Sequence, residues 1–248
     1  MKLIFLGTNG WYDTAATGNA VCALVRTKRW DIVLDAGNGL YKLDRYVDGT
    51  KPVFILLSHY HLDHIAGLHT IVKFRLKKGL TICGQKGARG VLKRFIARPF
   101  TVPLEKLPYP VRILELPSEA GELPFRAETL PLVHADPVLG FRLGLEGKTL
   151  AYCTDTGYCP NALKLARKAD LLITECAHGP GESNPVWPHF NPDTAGRLAA
   201  EAGAKRLVMT HFSADRYRTM ADRANAMRIA RKVFPRAEAA RDGLELTI

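Results

Sequence analysis

The most constraining stretch of the chain is a junction. Residues 53–57 read VFILL, and residues 58–64 read SHYHLDH. An apolar run without alternation is the pattern of a strand buried on both faces, as in a parallel sheet covered by helices. Four good metal ligands, His59, His61, Asp63 and His64, therefore fall at the C-terminal end of a buried strand. His59 and His61 are two positions apart, so an extended backbone points both the same way. Asp63 and His64 follow where the chain must turn into a helix, so they can face a second ion nearby. Imidazole and carboxylate donors suit Zn, Mn or Fe.

The rest of the chain alternates short apolar runs with helical patterns. Strands are predicted at 2–6, 21–26, 30–34, 53–57, 81–83, 111–116, 126–132, 139–145, 149–153, 171–174 and 207–210, with 21–26 and 30–34 forming a hairpin. Helices are predicted at 66–75, 88–96, 161–168, 192–202 and 221–233. The fourth is clearly marked: Asn191 can cap it, Pro192 suits the first helical position, and Gly203 can stop it. Prolines cluster between residues 99 and 117, which suggests a loop crossing between two halves. No internal repeat is visible. The order of strands and helices predicts two sheets packed face to face with helices outside, in one α/β domain over residues 1–248.

One cluster does not fill two metal sites. Further ligands are expected at other strand ends, and three candidates stand there. His134 ends ETLPLVH, Asp155 ends TLAYCTD, and His211 ends RLVMTH. With these residues in place, the chain resembles the metallo-β-lactamase superfamily, and within it the ribonuclease Z-like phosphodiesterase branch. FLGTNG, LDAGNG, VHADPVLGFRL, YCTDTG, HFNPDTAGRLA and THFSADRY are similar to that branch's successive motifs, from Phe5 to Tyr217. The resemblance implies a four-layer αββα sandwich. It implies one cation held by His59, His61 and His134, a second held by Asp63, His64 and His211, and Asp155 bridging both. It also makes a homodimer an expectation.

The chain departs from the branch. Only 20 residues separate His134 from Asp155, so the arm with which ribonuclease Z enzymes grip transfer RNA is absent. THFSADRY carries one extra residue, and no flavodoxin-like domain follows. Lys and Arg number 35 against 24 Asp and Glu, a formal charge of +11. That excess suggests an anionic partner, a small phosphorylated molecule or a nucleic acid, although the basic residues form no tail. Five cysteines without a close CxxC pair, no leader-like N-terminus and no apolar run of the ~18 residues a membrane span needs point to a reducing cytoplasm and no membrane.

The chemistry expected of such a site is a binuclear metal-dependent hydrolase. Two cations, Zn first with Mn or Fe compatible, lower the pKa of a bridging water and stabilise charge on a phosphoryl oxygen. Asp63 can also orient the attacking water, and His189, just before a capped helix, can protonate the leaving alkoxide. The resembled branch uses a histidine at that position in this way. Asp35 is expected to orient a ligand. Glu175 and His178 approach the same edge without an assigned role, and His69 reads as structural. Trp30, Trp187 and Tyr217 are candidates to stack on a base, with core or rim packing as the alternative. Hydrolysis of a thioester, lactone or aryl sulfate on the same metals is an alternative, and non-catalytic nucleic-acid binding is another.

Overall fold

The computed structural model describes residues 1–248, and its strands follow the apolar runs closely. The first half of the chain supplies β1 (Lys2–Gly7), the two-residue β2 (Asn9–Gly10), β3 (Cys22–Arg26), β4 (Asp31–Leu34), β5 (Val53–Leu56), β6 (Leu80–Gln85) and β7 (Val111–Leu116). The second half supplies β8 (Arg126–Pro131), β9 (Leu139–Leu145), β10 (Lys148–Cys153), β11 (Leu171–Cys176), β12 (Leu207–Ser213), β13 (Ala237–Ala239) and β14 (Glu245–Thr247). One sheet runs β14-β1-β3-β4-β5-β6-β7. The other runs β13-β12-β11-β10-β9-β8, with β2 alongside β12.

The pairing senses repeat. Across β1-β3-β4-β5-β6-β7, two antiparallel pairs are followed by three parallel ones. The same series runs across β8-β9-β10-β11-β12-β13. No repeat in the residues accompanies it, because a half-sheet needs apolar runs at suitable spacing and not identical side chains. The central strands β5 and β11 are buried along their whole length, whereas the edge strand β7 alternates. That contrast is what burial on both faces against burial on one produces.

Helices α1 (Leu62–Ile65), α2 (Ala88–Phe95), α3 (Pro160–Ala166), α4 (Pro192–Glu201) and α5 (Met220–Val233) cover the outer faces. Three apolar layers result. Leu3, Phe5, Phe141 and Ile173 lie in the layer between the sheets. Leu24, Ile55 and Leu68 lie outside the first sheet, and Leu172, Leu198 and Ala226 lie outside the second. This is the αββα order. The start of α4 is a capping box: Asn191 Oδ1 accepts from the Thr194 N–H at 2.9 Å, and Thr194 Oγ1 accepts from the Asn191 N–H at 2.9 Å.

Two expectations are corrected. The helix predicted at 66–75 is a 3₁₀ run, Ala66–Lys73, preceded by the single α-turn α1. A Cβ on Gly67 would lie 2.1 Å from the Gly37 carbonyl oxygen. The segment therefore rests directly on residues 36–40, against a second 3₁₀ stretch, Asn38–Arg45, that the sequence did not announce. The proline-rich region 99–117 is not the passage between halves, because it contains β7 itself, flanked by Pro110 and Pro117. Residues 117–125 make the passage to β8. Prolines donate no ladder hydrogen bond, so they bracket an edge strand readily. No helix is long and apolar enough to cross a membrane.

Phe141 is fully buried between the sheets. Phe141→Ala is expected to lower the unfolding free energy by about 3–5 kcal/mol in urea denaturation. Phe141→Leu is expected to cost clearly less, since it keeps more of the apolar volume.

Candidate metal centre

The C-terminal ends of the central strands of both sheets carry many of the polar residues of the molecule's interior. Asp35 follows β4, Ser58 and His59 follow β5, Asp155 follows β10, and His211 lies near the end of β12. His134 follows β8, and α1 holds Asp63 and His64. One donor atom from each of His59, His61, His134 and Asp155 lies within 4.8 Å of the others. Asp63, His64 and His211 form a second group within the same limit. Asp155 faces both groups: its Oδ2 is 3.4 Å from His59 Nε2 and 3.3 Å from His64 Nε2, and its Oδ1 is 3.2 Å from His211 Nε2. The structure thus brings together all seven residues singled out in the sequence.

Three of the imidazoles, His59, His61 and His64, are fixed by the partner of the outward nitrogen. The Asp35 carboxylate is fully buried and accepts four hydrogen bonds. The Ser58 N–H donates to Oδ1 at 2.7 Å, while Ser58 Oγ–H (2.9 Å), Tyr152 O–H (2.7 Å) and His64 Nδ1–H (2.9 Å) donate to Oδ2. Because the Ser58 hydroxyl proton goes to Asp35, Ser58 Oγ accepts from His59 Nδ1–H at 3.0 Å. His61 Nε2–H donates to Asp136 Oδ2 at 2.8 Å. These bonds leave His59 Nε2, His61 Nδ1 and His64 Nε2 as the nitrogens turned inward, which is how outer partners present imidazoles to a cation.

The donor set fits a cation on two grounds. His59 Nε2 and both ring nitrogens of His134 are buried without a hydrogen-bond partner, an arrangement proteins avoid unless something else completes it. The charges also call for a cation. Burial opposes ionisation of Asp155, yet the His211 and His64 rings hold its carboxyl well below the usual range. Burial likewise opposes charge on His64, but Asp155, Asp63 and Asp35 outweigh it and push its pKa well up. The carboxylates thus favour positive charge beside them, which a bound cation would supply as the imidazoles do here.

Backbone geometry serves the same end. Asp35, Asp155, His211 and Trp11 have φ of 55°, 46°, 48° and 75°, in the left-handed region that non-glycine residues rarely adopt. The Trp11 N–H donates to Asp63 Oδ2 at 2.7 Å. A Cβ on Gly10 would sit 2.5 Å from His211 Cε1, so only glycine leaves room for that ring.

His189 stands beside the two groups. Its Nδ1–H donates to Glu175 Oε1 at 2.7 Å, and Glu175 is anchored by the N–H groups of Thr156 and Ala177. Burial pulls the His189 pKa down, but the Glu175 carboxylate, with Asp155 and Asp63 behind it, pushes it up to about 9. Glu175 has no role that the sequence alone assigns, and no sequence pattern marks Asp136, Ser58, Tyr152 or Trp11. Of the three stacking candidates, only Trp187 reaches the site. Trp30 packs on Phe125, and buried Tyr217 donates to the His178 carbonyl at 2.7 Å. His69 is structural, its ring bonding the Ala66 carbonyl. The site opens to solvent through a pocket of about 520 Å³.

Asp35→Asn removes the acceptor that orients His64. It is expected to weaken metal binding roughly 10–100-fold, read as metal content by plasma mass spectrometry on protein whose circular dichroism is unchanged. Gly10→Ala, far from Asp35 in sequence, is expected to lower metal content as well by displacing the His211 ring.

A family model described as Beta-lactamase superfamily domain matches residues 30–212. The chain is 29% identical over 218 residues to the "probable metallo-hydrolase YhfI" of Bacillus subtilis, covering 86% of this chain and 87% of that protein. The crystal structure of YhfI superposes with a TM-score of 0.79 at 25% identity, over 99% of this chain and 98% of that one. Ribonuclease Z of Thermobifida fusca is 25% identical over 274 residues, covering 87% of this chain and 85% of that protein. That alignment is longer than this chain, so the relative carries insertions absent here. Human tRNase Z, short form, shares the fold, with a TM-score of 0.73 at 23% identity over 100% of this chain and 99% of that one.

Proposed function

The chain belongs to the β-lactamase superfamily of metallo-hydrolases, and from that membership we propose that it is a phosphodiesterase working with two divalent cations. His59, His61 and His134 would hold one cation, Asp63, His64 and His211 the other, and Asp155 both. Zn suits these donors, as do Mn and Fe. Bound there, divalent cations supply Lewis acidity, lowering the pKa of water toward neutrality and stabilising negative charge on a phosphoryl oxygen.

The chain's own residues do the rest. Asp35, Ser58 and Asp136 hold the rings in the tautomers that present a lone pair inward. Asp63, fixed by the Trp11 N–H, can accept a hydrogen bond from the attacking water and so orient it for in-line attack. The observation that carries the reading is the His189–Glu175 pair. Glu175 takes the Nδ1–H and favours the imidazolium, which leaves Nε2–H as the donor available in the pocket wall. Such a donor has work to do when an alkoxide leaves phosphorus, since an alkoxide needs a proton as the P–O bond breaks.

Charge supports an anionic substrate. Between Lys73 and Lys106 lie ten Lys and Arg residues and one acid, Glu105. Of the ten, only Lys73 and Arg89 pair with carboxylates. This basic layer, around α2 on the outside of the first sheet, would raise the encounter rate of a nucleotide or nucleic acid at low salt. We infer that the substrate is a phosphodiester of nucleotide type, small or part of an RNA.

Purified protein loaded with Zn or Mn is expected to hydrolyse bis(p-nitrophenyl) phosphate in preference to a thioester or an aryl sulfate. His189→Gln is expected to lower kcat roughly 10²–10⁴-fold with metal content unchanged. The loss should be larger for a diester with an alkyl leaving group than for one releasing p-nitrophenolate, which leaves without a proton. Absence of phosphodiester turnover with every metal tested would end this reading.

A further inference from the structure

The mouth of the metal pocket is built for a ring rather than for charge. Arg216 is the one Lys or Arg among the residues lining it, and it is held by Glu182 at 2.6 Å and by Asp215 at 3.2 Å. Apart from His189, itself paired with Glu175 at 2.7 Å, no side-chain cation is left there to neutralise a phosphate chain. The rim is apolar instead. The Trp11 side chain is 70% exposed, Leu62 67% and Trp187 37%, and all three line the pocket. Large apolar side chains grouped at a cleft mark a binding surface more often than chance exposure.

Trp11 is anchored through its backbone and Trp187 through its ring. Trp11 sits at φ 75°, and its N–H is the group that fixes Asp63, so the same peptide unit that places a carboxylate of the second group fixes where this indole emerges. Trp187 lies parallel to the His61 ring, with an interplanar angle of 1° and centroids 6.0 Å apart, and edge-on to His134 at 5.1 Å. Its carbonyl lies 3.2 Å from His178 Nε2. The Trp187 face, held beside the reactive centre, presents π-surface to a substrate at little entropic cost.

We propose that Trp11 and Trp187 form a stacking subsite for a flat aromatic group of the substrate, a nucleobase attached to a single phosphodiester. This rests on the phosphodiesterase reading and narrows it: the base is gripped by stacking, and the phosphoryl group is left to the metal centre. Stacking on an aromatic side chain changes affinity by roughly ten- to a hundredfold per base, enough to set substrate preference.

The test uses two diesters with one leaving group, thymidine 5′-p-nitrophenyl phosphate and ethyl p-nitrophenyl phosphate, on the metal-loaded protein. The wild type is expected to favour the thymidine ester. In Trp11→Ala and Trp187→Ala the ratio of kcat/KM between the two esters should fall about tenfold, through KM of the thymidine ester. The corresponding Phe variants should restore most of it. Separately, uridine 5′-monophosphate should quench tryptophan fluorescence where methyl phosphate does not, with the quench reduced in both Ala variants. Quenching without turnover of either ester would sink the phosphodiesterase reading and leave the subsite standing. Turnover with an unchanged ratio in both Ala variants would overturn the subsite. So would light scattering that shows a dimer dissociating in Trp11→Ala, which would assign the exposed indole to a second copy of the chain.

Discussion

The carboxylate of Asp35 is the constraint on which the centre depends. A buried carboxylate is costly unless every lone pair is satisfied, and Asp35 accepts four hydrogen bonds. Their donors come from different parts of the fold. Ser58 follows β5, His64 lies in α1, and Tyr152 reaches across from β10 in the opposite sheet. One residue therefore sets the angle of an imidazole and the register of the two sheets at the same point. Removing its charge disturbs both, because Ser58 passes the constraint on to His59.

Strain follows the same geography. Six non-glycine residues have positive φ, and four of them, Trp11, Asp35, Asp155 and His211, belong to the centre or hold it. Each unfavourable backbone is compensated locally. Asp155 receives a hydrogen bond from Thr154 Oγ1 at 2.9 Å, and Trp11 has the Asp63 carboxylate to donate to. Backbone strain concentrated in this way is a usual property of sites whose geometry must not relax. The apolar layers beneath supply the rigidity that maintains it.

Much of this was legible in the sequence, for identifiable reasons. His59, His61, Asp63 and His64 stand out because their type and their spacing both carry information. His134, Asp155 and His211 are single residues, and they become visible only through their shared place at strand ends and the resemblance of the surrounding motifs. Asp136 and Glu175 were not legible as the partners of His61 and His189, because a lone acid near a strand end looks like any turn residue. Trp11 was missed because its importance comes from a left-handed peptide, which no pattern of side chains announces. The 3₁₀ run at Ala66–Lys73 resembles an α-helix in sequence because apolar residues three apart, Leu68 and Ile71, suit both kinds of turn. The proline-rich stretch was misplaced in the topology because proline density reports absent hydrogen bonds and not the path of the chain.

The doubled topology carries a mechanical consequence. His59, His61, Asp63 and His64 come from the first six-strand series, whereas His134, Asp155 and His211 come from the second. Each of the two donor groups draws on both series. An ion seated in either group is then a rivet through a seam, and prising the half-sheets apart means expelling it. Ligand-linked folding would follow: ions bound for the chemistry would also lock the two leaves of the sandwich shut.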